Sequence, residues 1–173
     1  MLSNLITLQD INTLARPCTS DADVADAFIA EAQRADVRSR IGDAIYLRLF
    51  EANPTELEKT LLEGGRWTDC SGALHYLVGL KTTLAYYALA RIIRDGNIQA
   101  SRYGAVLKDD ERSSEPYDSE RNRQYRELFS QADAYMAECL AFIQSNNDAF
   151  PGCIKSEAPI SNRARIRVIR KTR

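Results

Sequence analysis

The sequence predicts an all-α protein, a small helical bundle built around two long antiparallel helices. Apolar residues recur every three or four positions over 71–96 and again over 119–144, which is the spacing of one buried helical face. Residues 97–118, between these stretches, show no helical period. We therefore predict a helical domain over residues 1–145 with an extended loop or arm at 97–118, followed by an extended C-terminal tail over 146–173.

The composition is that of a soluble globular protein with unevenly distributed charge. Of the 173 residues, 45% are hydrophobic and 27% are charged, and the formal net charge is −1. Residues 161–173 hold six basic residues and no acidic one, which leaves 17 basic and 24 acidic residues in 1–160. An acidic body with a cationic tail is therefore expected. The N-terminus lacks the basic start and long apolar run of a signal peptide, which predicts a protein made in a cytoplasm.

Four short helices are predicted before the first long one, from capping residues and from proline or glycine stops. They begin at Thr7, at Ser20 or Asp21, near Gly42-Asp43 and at Thr55. The second helix is expected to run to about Arg34, and the residues it should turn inward are Val24, Ala27, Phe28 and Ala32.

The connections between these helices carry their own apolar residues. Val37 and Ile41 are predicted to anchor an irregular connection after the second helix. Trp67 is predicted to lie in a loop and to close one end of the core, which is the common role of a lone tryptophan.

The first long helix, Ser71–Gly96, is the predicted centre of the fold. It has apolar residues around most of its circumference, so neighbours should bury it on several sides. Asp69 or Ser71 is the expected N-cap, and Gly96 the expected stop. Lys81 and Arg91 interrupt the apolar run, which argues against a membrane span.

The second long helix should begin at Asp118 or Ser119 and end near Gln144, packing antiparallel against the first. Its apolar stripe consists of Tyr125, Leu128, Phe129, Ala132, Tyr135, Met136, Cys139, Leu140 and Ile143. In the arm between the long helices, Ile98, Tyr103 and Val106-Leu107 are expected to form a hairpin or an extended segment, with a turn at Gly104.

The tail has the pattern of a β-strand. Arg163, Arg165 and Arg167 alternate with Ala164, Ile166 and Val168, a period of two that gives one cationic and one apolar face. A single strand is not stable in water, and no partner strand is expected within a helical domain. We therefore predict that the tail adds as a strand to a neighbouring protein.

Catalytic chemistry finds little support in the sequence, and no enzyme activity, cofactor or metal site is predicted. His75 is the only histidine and is expected to be buried in the central helix or at its edge. The four cysteines, Cys18, Cys70, Cys139 and Cys153, form no CxxC pair, which favours reduced thiols over disulfides or zinc. Gly64-Gly65 is not followed by Lys-Ser/Thr, so it is not a phosphate-binding loop.

Three stretches of the sequence carry a resemblance to a known family. They are the helix start Gly42-Asp43-Ala44 with Tyr46 and Leu47, the GLK…L-YYA-AR pattern of the central helix, and the group Arg102, Tyr103, Gly104, Val106 and Lys108 with Ser114-Glu115-Pro116. Together, over roughly residues 20–145, they resemble small proteins of tailed phages and prophages of Bacteroidetes, including crAss-like phages. These are similar in layout to the head–tail connector, or adaptor, proteins encoded beside portal genes.

The resemblance implies a structural virion protein at the head–tail junction, with no enzyme active site and no membrane. Such proteins form a ring, expected to be twelvefold, that joins the portal protein to other connector or tail proteins. The ring extends the channel through which genomic DNA passes without sequence-specific recognition. The predicted partner-binding residues are Arg102, Tyr103, Val106 and Lys108 of the arm, and Arg163, Arg165, Ile166, Arg167, Val168 and Arg170 of the tail. The tail lies outside the matched stretch.

The alternative is a small helical nucleic-acid-binding protein that uses the basic tail to contact phosphates. Six cations without aromatic residues among them predict weak, salt-sensitive binding. Oligomeric state separates the two hypotheses. A connector should form a ring, at least with its portal, whereas a nucleic-acid-binding protein should bind duplex or single strands as a monomer or dimer.

Overall fold

The computed structural model describes residues 3–69, 71–96, 98–101, 104–107 and 118–150, with the backbone alone for 98–101 and 104–107. Within these ranges the chain is mainly helical, as the sequence predicts. The helices are α1 (Leu8–Leu14), α2 (Ala22–Ala32), α3 (Ser39–Ile41), α4 (Asp43–Arg48), α5 (Glu56–Glu63), α6 (Leu80–Asp95) and α7 (Asp118–Ser145), and a π-helical segment (Gln33–Arg38) joins α2 to α3.

In the described ranges, four short strands form two separate antiparallel hairpins. β1 (Gly65–Thr68) pairs with β2 (Leu74–Leu77) to form the first hairpin, and β3 (Ile98–Ser101) pairs with β4 (Gly104–Leu107) to form the second. From the sequence, the helical domain was expected to contain no strand with which the tail could pair. That expectation was wrong. Each of these four strands has one edge that is not paired with another strand of the described chain.

The central helix begins at Leu80 rather than near Ser71, which corrects the predicted helix. The apolar spacing continues through Leu74–Leu77, but these residues form a strand, and short apolar runs do not distinguish the two structures. Gly79 separates the strand from the helix and is the N-cap, with a φ of 97° that glycine adopts without steric cost. Asp69, one of the two predicted caps, instead lies in the turn of the first hairpin.

Two aromatic side chains lie on this hairpin and correct two further predictions. Trp67 is on β1 rather than in a loop, although it does pack against the core, with its ring edge-on to Phe142 at 5.3 Å. His75 is on β2 and exposed, rather than in or beside a buried helix. The cause is the pairing of the two strands: His75 was assigned a helical period and Trp67 a loop, but the register places them opposite each other on β2 and β1.

Residues 22–41 form a continuous helical run where the sequence predicted an irregular connection at Val37 and Ile41. Both side chains are fully buried, and the connection between them is helical, with a wider π turn. The buried face of α2 agrees only in part with the prediction: Ala32 is buried as predicted, but Ala25 and Ile29 are the other buried residues. Val24 and Phe28 are half-buried, and Ala27 is exposed. Closely spaced alanines leave the apolar face of a short helix ambiguous in sequence.

Helix α6 occupies the centre of the molecule and contacts α1, α2, α5 and α7. Leu80, Leu84, Tyr87 and Ala88 of α6 are fully buried. Its largest contact is with α7. Side-chain contacts between them join Thr83 to Cys139, Tyr87 to Phe129 and Arg94 to Tyr125. In these three pairs the residue numbers rise along α6 while they fall along α7, so the two helices are antiparallel.

The N-terminal capping residues explain where the shorter helices begin. Thr7 and Thr55 each accept a hydrogen bond from the backbone N–H three residues on, and that residue's carboxylate accepts one in return from the capping residue's backbone N–H. These capping boxes pair Thr7 with Asp10 and Thr55 with Glu58. The predicted starts at Thr7, Asp21, Gly42 and Thr55 are therefore confirmed, because each is the N-cap of a helix.

Candidate functional site

The two hairpins leave the body at opposite ends of α6. The β1–β2 hairpin precedes the helix, with two residues between Leu77 and Leu80, and the β3–β4 hairpin follows it. Because α6 has 16 residues, its ends lie about 24 Å apart. The helical body therefore separates two extended elements, and we treat both as candidate partner interfaces.

The β3–β4 hairpin contains the predicted arm residues. Val106 lies on β4, where its backbone is paired with Gln99 of β3. The register ends at Ser101 and Gly104, so Arg102 and Tyr103 occupy the two positions between the strands. Arg102, Tyr103 and Lys108 lie outside the described residues, as does the Ser114-Glu115-Pro116 turn. A hairpin was one of the two arm structures the sequence predicted, and this part of the prediction is confirmed.

The predicted tail residues all lie outside the described part of the chain, which ends at Phe150. They are Arg163, Arg165, Ile166, Arg167, Val168 and Arg170. The position from which the tail departs is nevertheless defined. Phe150 is buried with its ring 6.1 Å from that of Phe142, and Arg48 donates a hydrogen bond of 2.8 Å to the carbonyl oxygen of Ala149.

Arg48 holds this exit by several contacts from α4. Its guanidinium forms an ion pair of 2.5 Å with the buried carboxylate of Glu58 on α5, and it lies over the ring of Phe150 at 5.8 Å. Burial alone would raise the pKa of Glu58, but hydrogen bonds from Thr55 and the charge of Arg48 together lower it below its ordinary value. The departure point of the tail is therefore fixed to α4, α5 and the end of α7.

The β1–β2 hairpin has two unlike faces. On the inner face, Trp67 stacks against His75 with 4.8 Å between ring centroids, and Leu77 is fully buried. On the outer face, Leu74 is 68% exposed and Tyr76 is 69% exposed, and they pair with exposed Thr68 and Arg66. Among the described residues, the only other large apolar side chain that is similarly exposed is Leu47, at 54%. Sequence reasoning missed this outer face.

Two glycines close the base of the hairpin. A Cβ at Gly79 would lie 2.5 Å from the backbone nitrogen of Gly64, and one at Gly64 would lie 2.5 Å from the carbonyl oxygen of Leu77. Real Cβ atoms do not approach other atoms so closely, so both positions require glycine. The chain thus enters and leaves the hairpin at one narrow crossing, which sets the direction in which the hairpin projects.

The tip of the hairpin is held by the carboxylate of Asp69. It accepts hydrogen bonds from the Ser71 hydroxyl at 2.6 Å and from the backbone N–H groups of Ser71 and Ala73 at 2.9 Å. Its other oxygen lies 3.0 Å from Nε2 of His75. These interactions hold the pKa of Asp69 well below its ordinary value. The hydrogen bond from the Ser71 hydroxyl has the largest effect, and the contact with His75 the next largest. The turn is therefore organised by a charged group.

A buried ion pair connects α6 to the π-helical segment. Nη1 of Arg91 lies 2.7 Å from Oδ2 of Asp36, and neither atom has a hydrogen-bond partner among the described residues, so charge pairing is their compensation. Arg91 also pairs with Glu31 at 3.1 Å and lies over the ring of Phe129 at 5.8 Å. Burial raises the pKa of Asp36, and the charge of Arg91 offsets part of that rise.

A second polar cluster lies one turn away and joins α3, α6 and α7. The Tyr87 hydroxyl donates to Asp133 at 2.6 Å and accepts from Arg40 at 2.6 Å, while Arg40 and Asp133 form an ion pair at 2.7 Å. Burial and the bond to Asp133 raise the pKa of Tyr87. The presence of Arg91 within an apolar helix was the only signal of either cluster in the sequence.

The described residues offer little that resembles a catalytic site. They contain no group of three or more His, Cys, Asp or Glu side chains placed to hold a metal ion. A shallow depression on α2 is lined by Ala27, Ala30 and Arg34, among others. Burial raises the pKa of the Cys139 thiol to about 12, so it is not a reactive nucleophile. No helix in the described ranges is both long and apolar enough to cross a membrane.

Comparison with known proteins gives one match. Residues 39–163 match a family described as "Family of unknown function (DUF6712)". The match begins in α3 and includes both hairpins, α6 and α7. No curated protein and no solved structure matches the chain.

Proposed function

The chain belongs to the DUF6712 family of unknown function, and we propose that it is a structural virion protein that forms a ring at the head–tail junction. In this role it joins the portal protein to the tail and extends the DNA channel. The observation that carries the proposal is the arrangement of two hairpins at opposite ends of one central helix. A subunit of a ring stacked between two other rings needs contact elements at both ends of a rigid body.

The rigidity of the body supports this role. The ion pair of Arg91 with Asp36 and the Tyr87–Asp133–Arg40 cluster connect the π-helical segment, α6 and α7. The Arg91–Asp36 pair is buried and favours one packing arrangement over alternatives, because a shifted arrangement leaves a buried charge unpaired. A subunit that contacts the portal at one end and the tail at the other requires a rigid body between its two contact surfaces.

The distribution of charge also supports passage of DNA. Residues 1–160 contain 24 acidic and 17 basic residues, so the body repels a phosphate backbone at long range. A channel wall that bound DNA tightly would obstruct its movement. This agrees with the resemblance to connector proteins, which the sequence carries in α4, the central helix and the arm.

The proposal is tested by the oligomeric state of the purified full chain, alone and with the portal protein of the same phage. Native mass spectrometry and electron microscopy should reveal a closed ring, expected to be twelvefold, at least when the portal is present. A chain that remains monomeric or dimeric under both conditions would contradict the proposal.

The alternative function, nucleic-acid binding through the basic tail, is favoured by the six cations of residues 161–173 alone. It predicts that the free chain binds duplex or single-stranded DNA, with affinity falling steeply as salt increases. A filter-binding or fluorescence-anisotropy titration at two salt concentrations distinguishes it from the connector role, in which the free chain has little affinity for DNA.

A further inference from the structure

We propose that the β1–β2 hairpin accepts residues 163–170 of a neighbouring copy of this chain as a third strand. The inference rests on the proposed ring in one respect, namely that copies of the chain lie side by side. It goes beyond that function by naming both surfaces of the contact. The acceptor is the hairpin edge and its outer apolar face, and the donor is the tail.

The acceptor has the properties of an incomplete sheet. Within the described residues it consists of two strands, so each has one edge of backbone N–H and C=O groups without a strand beside it. The inner face of the hairpin is stabilised by packing on the body, through Leu77 and Trp67, while the edge remains open to a third strand. Leu74 and Tyr76 of β2 lie on the outer face with most of their surface in solvent, so a third strand beside β2 can place its own apolar side chains next to them.

The donor has the matching pattern. The alternation of arginine with Ala164, Ile166 and Val168 gives one apolar face when the segment is extended. Paired beside the hairpin, that face continues the surface formed by Leu74 and Tyr76. The backbone groups of the segment find their partners along the hairpin edge, which is the mode of recognition known as strand addition. The six cations of 161–173 also favour contact with an acidic body.

The tail starts close to a hairpin of this kind. Phe150, the last described residue, packs on Phe142, which in turn contacts Trp67 on the inner face of the hairpin. Residues 151–162 then precede the alternating segment, and twelve residues can span at most about 40 Å. A body of about 150 residues has a radius of gyration of about 15 Å, so this length is comparable to the width of one subunit.

The nature of a ring favours the neighbour's hairpin over the chain's own. Rings are built from head-to-tail contacts, in which two different surfaces of one chain meet on successive subunits. The tail and the hairpin are two such surfaces. A tail bound to its own hairpin would occupy the same edge without holding two subunits together.

The test is disulfide cross-linking between two differently tagged full-length chains, one with Val168→Cys and the other with Leu74→Cys. Cys18, Cys70 and Cys153 are replaced by serine in both chains, while Cys139 is retained because it is fully buried. After mixing and mild oxidation, we expect a product joining the two tags. Its yield should exceed by about tenfold that of a control pair with Glu56→Cys, because pairing raises the effective concentration. Glu56 is exposed and is the first residue of α5, at the end of that helix opposite the hairpin.

A second variant guards against effects on folding. The double substitution Leu74→Ser and Tyr76→Ser, in the full chain, should leave the melting temperature unchanged because both side chains are exposed, yet should weaken association between copies. Equal yields for the Leu74 and Glu56 pairs would overturn the inference. A single chain that carries both Val168→Cys and Leu74→Cys tests the intramolecular alternative. Cross-linking only within that chain, with no product between the two tags, would also overturn the inference.

Failure of this inference can be told apart from failure of the proposed function. Rings seen by microscopy without the preferential cross-link would leave the connector role intact and exclude the strand contact. The preferential cross-link in a chain that never closes into rings would support the strand contact and contradict the ring.

Discussion

At the scale of single residues, charges placed inside the fold define how its helices pack. Arg91 interrupts an otherwise apolar helix, and its side chain is almost completely buried against Asp36 and Phe129. Asp36 faces inward from a π-helical turn, whose wider geometry shifts the positions that point toward the core. The pair is therefore a specific connection between α6 and the helix before it.

Removing one partner of this pair should be costly. We predict that Arg91→Ala lowers the free energy of unfolding by about 3–5 kcal/mol, because the Asp36 carboxylate remains buried without its opposite charge. Urea unfolding followed by circular dichroism measures the loss. Arg123→Ala, at an exposed ion pair on α7, is the matched control and should change stability by less than about 1 kcal/mol. Equal losses for the two variants would show that the buried pair has no special role.

The turn residue Asp69 should make stability depend on pH. Its pKa is lower in the folded chain than its ordinary value of 3.8, through bonds from Ser71 and the contact with His75. Such a group stabilises the fold above its unfolded pKa, and this contribution is lost as the pH falls through the folded pKa. The stability difference between the wild type and Asp69→Asn should therefore be constant near neutral pH and shrink below about pH 4.

Denaturant unfolding at a series of pH values measures this difference. Asp23→Asn, at an exposed aspartate of α2, controls for the loss of one negative charge. If the difference in unfolding free energy between the wild type and Asp69→Asn is the same at acid pH as at neutral pH, the carboxylate does not stabilise the turn through its charge.

At the scale of elements, the crossing of Gly64 and Gly79 decides where the strand ends and α6 begins. We predict that Gly79→Ala lowers stability by about 1–3 kcal/mol or more, since the added Cβ meets backbone atoms of Glu63 and Gly64 at a positive φ. Gly72→Ala is the matched control, because Gly72 also has a positive φ of 85° but open space around its Cβ position. Thermal unfolding of both variants separates the close contact from the backbone strain, and similar melting temperatures would exclude a role for the contact.

The arm should be dispensable for folding and required for assembly. Deleting Gln99–Glu115 leaves a short connection between α6 and α7, which run antiparallel and can be joined by few residues. We expect the deletion to retain the melting temperature of the intact chain while failing to enter the virion. A chain in which the same segment is replaced by a glycine-serine linker of equal length controls for spacing. Normal incorporation of the deleted chain would show that the arm has no role in assembly.

At the scale of the whole molecule, the tail is predicted to contribute to assembly and not to the stability of its own body. Val168→Pro removes a backbone donor from the alternating segment and should weaken association between copies. The melting temperature of the isolated chain should not change. Thr172→Pro, beyond the alternation, is the control. A lower melting temperature for Val168→Pro alone would indicate that the segment already packs on its own domain.

Local features of the sequence determined the helical class, the long apolar stripe of α7 and the starts of the short helices. Thr7 and Thr55 illustrate why, since a capping box uses side chains within three residues of one another. The arm was likewise recognisable, because residues 97–118 lack a helical period, although Gly104, the predicted turn, is the first residue of β4 and pairs with Ser101. These features depend on neighbours along the chain and are therefore visible without the fold.

Only the tertiary structure decided which apolar residues form strands and which charges are buried. Leu74–Leu77 fits a helical period as well as a strand, and its pairing with Gly65–Thr68 depends on the crossing of two distant glycines. The partner of Arg91 lies 55 positions earlier at Asp36, in a π turn that has no sequence signature. Long-range packing determines such contacts, so the outer face of Leu74 and Tyr76, on which the strand-addition proposal depends, became apparent only in the folded chain.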